Sequence, residues 1–313
     1  MCSALLGFQA PGENGIDVKP RARQASFTRP DAPPAEIRID SSLVEIPVHV
    51  TRHDGSTVTN LPKEQFRVTE DGVEQKITSF NQDDAPLSIG ILFDSSGSMH
   101  NKISKSSEAA ATFFKTANLQ DEFFLVEFNE RPKLTVPFTP DSSAIFQRIS
   151  HIKPFGRTSL FDAIHLALVH MKQAKNLRKA IVIVSDGGDN RSRFTATQVK
   201  NAMAESDVQL YAMGIFEHDT RKLPQEEQNG PRLLDELADQ TGGHLYSVEA
   251  LDELDAISER ISRELRNEYV IGYSPANPIR DGKYRHVRVQ VTPPPELHDL
   301  RTYYRHGYYA PTQ

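Results

Sequence analysis

Hydrophobic positions change their rhythm twice along this chain. Residues 43–50 (LVEIPVHV) alternate apolar with polar and are rich in β-branched side chains, the pattern of a strand half-buried on a core. Pro47 has no N–H to donate and predicts an edge or bulge position in that strand. Residues 66–68 and 77–80 lie on either side of Asp71-Gly72, which predicts a hairpin turning at Asp-Gly. From Pro86 onward, continuous apolar runs replace alternation. Residues 87–93 (LSIGILF), 123–128, 180–184 (AIVIV) and 208–215 read as strands, with 133–138 as an edge strand. Uninterrupted apolar runs suit parallel strands covered on both faces.

Helical spacing falls between these runs. Ala109, Ala110, Phe113 and Phe114 form one apolar side, and Leu160, Ala163, Ile164, Ala167, Leu168 and Met171 another. Further helices are predicted at 197–205, 232–240 and 251–266, with Gly242-Gly243 ending the second of these. Beyond Arg266 alternation returns at 269–273, 284–291 and 303–309.

Strands alternating with helices predict an α/β fold over 86–266, a doubly wound, mostly parallel sheet. The β-only flanks, 41–85 and 267–313, are each too short to close a core. They are expected to pair into one small β-sandwich with the α/β segment inserted. Residues 1–40 carry five prolines between 11 and 34 and no periodicity, which predicts a linker. Residues 1–10 (MCSALLGFQA) are apolar and end in small residues, resembling the tail of a secretory signal without its basic front. That reading expects export to the periplasm, outer surface or medium; the other is an apolar tip with no targeting role.

Composition narrows the function classes. A formal net charge of −6 argues against nucleic acid as the main partner. No run of about 18 apolar residues exists, so no transmembrane segment is expected. The single cysteine, Cys2, forms no internal disulfide and no cysteine-rich metal site. His165 and His170 are five apart, which does not place them on one helical face.

The candidate chemistry lies where strands end. Asp94-Ser95-Ser96-Gly97-Ser98 follows the run 87–93 directly, at the edge where α/β sheets bind ligands. Gly156-Arg157-Thr158-Ser159-Leu160 opens a helix, and Ser185-Asp186-Gly187 follows the run 180–184. Asp94, Ser96, Ser98, Thr158 and Asp186 thus offer hard oxygen donors, suited to Mg2+, Ca2+ or Mn2+. Each string also has a plain structural use: Thr158 or Ser159 as an N-cap, Ser96 lining a turn. Asp162 reads as a structural group and Asp189 as solvated loop.

Taken together and in this order, D-x-S-x-S, G-x-T-x-L-x-D-A and S-D-G resemble the von Willebrand factor A domain over roughly residues 86–266. The flanking strings at 66–72, 269–273 and 307–311 are similar to an exported group of A-domain-related proteins well represented in acidobacteria. The resemblance implies a metal-ion-dependent adhesion site. Ser96, Ser98 and Thr158 would contact the cation, with Asp94 and Asp186 holding it directly or through water. An Asp or Glu carboxylate of a protein partner would take the open coordination position. The expectation is a non-enzymatic adhesion or scaffold module, with a metal-assisted hydrolase, or a subunit of one, as the alternative. Ser95 and His100 are the nearby groups that the alternative would need.

Overall fold

The computed structural model describes residues 43–312, apart from 83, 116, 187, 217–228 and 296. The expected linker and signal remnant lie outside these residues.

A six-stranded sheet forms the centre. Its strands are β5 (Leu87–Asp94), β6 (Glu122–Phe128), β7 (Lys133–Thr139), β8 (Arg178–Ser185), β9 (Val208–Gly214) and β10 (Leu245–Ser247). The order is β10-β9-β8-β5-β6-β7, parallel throughout except for β7, which closes one edge antiparallel to β6. The continuous apolar runs follow from helices on both faces, because successive side chains alternate between two cores. Ile89, Ile91 and Phe93 enter one core, with Ala109 and Phe113 of α1 (Ile103–Phe114), Ile145 of α2 (Ser142–Ser150), and neighbours. Leu92, Phe124 and Ile183 enter the other, with α3 (Leu160–Met171), α4 (Ala196–Glu205) and α5 (Gly230–Thr241). A last helix, α6 (Leu254–Arg266), returns to the first face through Leu254, Ile261 and Leu265.

The flanks build two antiparallel sheets. β1 (Val44–Thr51), β4 (Ile77–Asn81), β11 (Tyr269–Tyr273) and β13 (Arg301–Tyr304) form one, in the order β13-β1-β11-β4. β2 (Phe66–Glu70), β3 (Val73–Gln75), β12 (Tyr284–Val291) and β14 (Gly307–Tyr309) form the other, in the order β14-β12-β2-β3. Ile46, Val48, Val68, Ile271 and Val289 share one core between them. Each sheet draws strands from both ends of the described chain.

Three details differ from the sequence reading. β1 is an inner strand, yet β13 pairs only with residues 48–51, so Pro47 has a paired neighbour on the β11 side alone, an edge-like position of the kind proline tolerates. The Asp-Gly turn holds, with Asp71 at φ 47° and Gly72 at φ 83°, but it joins β2 to β3. Residues 77–81 instead cross to the other sheet as β4. Likewise 303–309 is not one strand. The chain changes sheets between Tyr304 and Gly307, so β13 and β14 lie in different layers. Two elements without a strong sequence signal, α2 and β10, complete the α/β layer.

The seam between the two parts is charged and ordered. Arg178 reaches Glu268 at 2.5 Å, Arg266 reaches Asp84 at 2.9 Å and also pairs with Asp121, and Asp121 accepts the N–H of Leu87 at 2.9 Å.

Candidate functional site

β5 and β8 run side by side in the same direction, so both deliver their last residues to one edge of the sheet. Three loops meet there and are held by backbone bonds. Ser95 N donates to Phe128 O at 2.7 Å, and Phe155 N to Ser95 O at 2.9 Å. Gly97 N donates to Gly156 O at 3.0 Å. Asn190 bridges the other pair of loops: its N–H donates to Thr158 O at 3.1 Å, and its Oδ1 accepts Thr158 N at 3.0 Å.

The side chains form a connected row. Asp94 is fully buried; its Oδ1 accepts Ser96 N at 2.8 Å and its Oδ2 accepts Ser185 Oγ at 2.5 Å. The Ser96 and Ser98 hydroxyls are 3.1 Å apart, and Ser98 Oγ donates to Asp186 Oδ1 at 2.9 Å. Lys102 Nζ donates to Asp186 Oδ2 at 2.6 Å. Four of the expected residues are thus linked through hydrogen bonds. Thr158 is buried on the third loop, and among the described residues no hydrogen bond joins its hydroxyl to the other four.

Burial, and then the nearby Asp186 carboxylate, push the Asp94 carboxyl up to about 6, although bonds from Ser185 and Ser96 oppose the shift. Among the described residues Asp94 has no cation beside it, while Asp186 has the Lys102 ammonium. Among the described residues no group of three or more His, Cys, Asp or Glu is placed to hold a metal. The donors gathered here are carboxylates and hydroxyls, the set a hard divalent cation takes. The two-acid row with one acid uncompensated fits such an ion, and Lys102 already places one positive charge beside it.

Neighbouring residues have different work. Ser159 occupies the N-cap position of α3 but its side chain makes no cap; Asp189 does so from another loop, its Oδ2 accepting Phe161 N at 3.0 Å. Asp189 also accepts Ser192 N at 3.1 Å, so it is half-buried loop structure and not free solvated surface. Asp162 is structural as expected, with Oδ1 accepting Arg193 N at 2.8 Å and Phe194 N at 3.0 Å. His165 stacks on Phe194 at 3.9 Å, and His170 packs between Phe124 and Phe138. Ser95 is buried and donates to Phe128 O at 3.0 Å, while His100 is exposed. Phe155, beside the row, is 61% exposed although its backbone is tied to Ser95.

Sequence reasoning missed Lys102 and Ser185. Ser185 stood inside the S-D-G string, but its bond to Asp94 crosses between two strands. Lys102 reaches Asp186 only once β5 and β8 are adjacent.

This combination defines a doubly wound α/β domain with an oxygen-lined cluster at the carboxyl edge of its sheet. Residues 89–188 match the model of the von Willebrand factor type A domain, a stretch that includes Asp94, Ser96, Ser98, Thr158 and Asp186. The chain is similar to an uncharacterized protein of Borreliella burgdorferi, 28% identical over 52% of this chain and 54% of the relative. It is also similar to the inter-alpha-trypsin inhibitor heavy chain H2 of Sus scrofa, 26% identical over 43% of this chain and 16% of the relative. The chain thus spans about half the length of the first relative and a small part of the second. A solved von Willebrand factor type A structure from Catenulispora acidiphila shares the fold with a TM-score of 0.51. It is 12% identical and covers 87% of this chain and 74% of its own. That share exceeds what the α/β part alone would supply, so the likeness of fold extends into the flanks.

Proposed function

We propose that the chain is a protein-binding module of the adhesion or scaffold type, which engages a partner's Asp or Glu carboxylate through a divalent cation. The observation that carries this reading is the uncompensated buried carboxylate of Asp94, joined through Ser96 and Ser98 to Asp186 at one exposed sheet edge. Asp94, Ser96, Ser98, Thr158 and Asp186 would hold Mg2+, or Ca2+ or Mn2+. When bound, the ion supplies a positive charge with open coordination toward solvent, which a carboxylate would complete. The protein's own part is to hold the donors. Backbone bonds from Phe128, Gly156 and Asn190 fix the three loops, so the hydroxyls are presented without large rearrangement.

Phe155 supports a macromolecular partner, because an exposed aromatic on a fixed backbone is the kind of residue that anchors protein interfaces. A metal-assisted hydrolase is less well supported. It needs a base or nucleophile aimed at the substrate, and the Ser95 hydroxyl is spent on the Phe128 carbonyl. Export belongs to the proposal too; among the described residues no helix is long and apolar enough to cross a membrane.

The test is capture on immobilised protein with Mg2+, with Mn2+ and with chelator, using wild type and Asp94→Ala. A partner retained by wild type only with cation, and never by the variant, is the expected result. Equal capture in chelator would refute the cation-dependent reading.

A further inference from the structure

A second polar site lies at the seam, away from the metal-side loops. A cavity of about 370 Å³ opens between the turn after β1 and strand β10, within the size range of small-molecule pockets. The sandwich contributes Arg52, Asp54 and Arg301 to its lining, and the α/β layer contributes Tyr246 and Arg260.

The charge in this cavity is unbalanced. The buried or part-buried arginines Arg178, Arg266 and Arg285 stand on carboxylates: Glu268, Asp84 with Asp121, and Asp281. Here three guanidiniums share a lining with one acid, Asp54, whose Oδ1 is taken by Ser56 N at 2.8 Å. Among the described residues Arg260 spends only Nε, on the buried Glu264 at 3.3 Å. Its guanidinium lies 5.0 Å from the centre of the Tyr246 ring. Its Nη2 also lies against Gly55, whose φ of 79° favours glycine in that turn. Arg301 has only His53 Nδ1, 3.3 Å from its Nη2, and Arg52 has no carboxylate partner among the described residues. The nearby His244 is held below its usual range by burial and then by Arg260, so it adds no positive charge near neutral pH.

Guanidinium forks beside aromatic faces suit planar or tetrahedral oxoanions, which accept paired N–H bonds and relieve the mutual repulsion of the cations. We propose that this seam pocket binds a small oxoanion, a phosphate- or carboxylate-bearing molecule, through Arg52, Arg260 and Arg301. Such a ligand touches both parts of the fold and so ties the sandwich to the α/β layer. The proposal is independent of the cation-dependent reading, since it uses none of its residues.

The probes are inorganic phosphate and citrate, titrated calorimetrically into the full chain after divalent ions are removed on a chelating resin. Arg52 and Arg301 are exposed, so Arg52→Ser/Arg301→Ser is expected to fold like wild type. Wild type should bind at least one probe saturably with one site per chain, and the tighter of the two identifies the ligand chemistry. Binding should weaken about tenfold or more in the double variant. It should also weaken on raising monovalent salt from about 20 to about 300 mM. Arg288→Ser, which removes an exposed charge from β12, should leave the affinity unchanged. The proposal is overturned if neither probe saturates wild type at millimolar concentration, if the double variant binds like wild type, or if Arg288→Ser weakens binding equally.

Discussion

Among the buried carboxylates, Glu70 in the β-sandwich and Asp94 at the edge of the parallel sheet have surroundings that differ in kind. Glu70 Oε2 accepts the hydroxyls of Tyr273 at 2.9 Å and Tyr308 at 2.7 Å, donors brought by strands of both sheets. Burial and the charge of Glu70 in turn hold the Tyr273 hydroxyl well above the ordinary tyrosine range. Asp94 also accepts two bonds, but its neighbour is another acid, Asp186, and the row of hydroxyls between them runs toward the surface. The sandwich closes its charge with its own fold. The sheet edge keeps charge unbalanced, which is how a binding site differs from a structural network.

The largest effect that would break this comparison is expected at Glu70. Glu70→Ala leaves two buried tyrosine hydroxyls without their acceptor and should cost about 3 kcal/mol. Urea unfolding followed by circular dichroism measures it, and cation binding by the folded variant should be retained. A loss well under 1 kcal/mol would mean that the two carboxylates are not different in the way described.

His49 sharpens the same contrast, because among the described residues its buried ring nitrogens have no hydrogen-bond partner, the Glu264 carboxylate standing 3.7 Å from Nε2. Burial, followed by Arg260 and His244, lowers it from 6.5 to about 3. Its stability contribution is therefore complete above pH 6.5 and is lost as pH falls, because the unfolded chain takes up a proton that the folded chain refuses. The loss from this group should reach about 2 kcal/mol by pH 5. His49→Leu should flatten that part of the stability profile, measured by thermal melts between pH 7 and pH 5. An unchanged slope would remove His49 from the account.

The smallest expected change is at Lys102. Its ammonium stands on Asp186 at 2.6 Å and must share that carboxylate with any incoming cation. Lys102→Met should tighten Mg2+ binding about tenfold, or about 1.4 kcal/mol. Weaker binding would show that Lys102 helps the site instead of competing with it.

Much of the architecture was legible because its signals are local. The runs at 87–93 and 180–184 have no polar face to offer solvent, so they could only be strands covered on both sides. The string from Asp94 to Ser98 follows one of them directly and is placed by it. What escaped depended on distant partners. The strand at 77–81 and the division at 305–306 are decided by which sheet the chain joins next, not by alternation within the segment. Asp189 caps α3 from another loop, and Ser185 and Lys102 meet the acids only across the assembled sheet. Thr158 remains the least connected of the expected donors, since its loop is fixed by Asn190 through the backbone and not through its hydroxyl.

The central claim is that Asp94 is kept buried and uncompensated in order to hold a cation. Calorimetric titration of Mg2+ and Mn2+ into wild type and Asp94→Asn, with melting curves of both, tests it most directly. The account predicts saturable binding by wild type, none by the variant, and a melting temperature of the ion-free variant equal to or above that of ion-free wild type. Equal cation binding by the two proteins, or a variant that no longer folds, would contradict it.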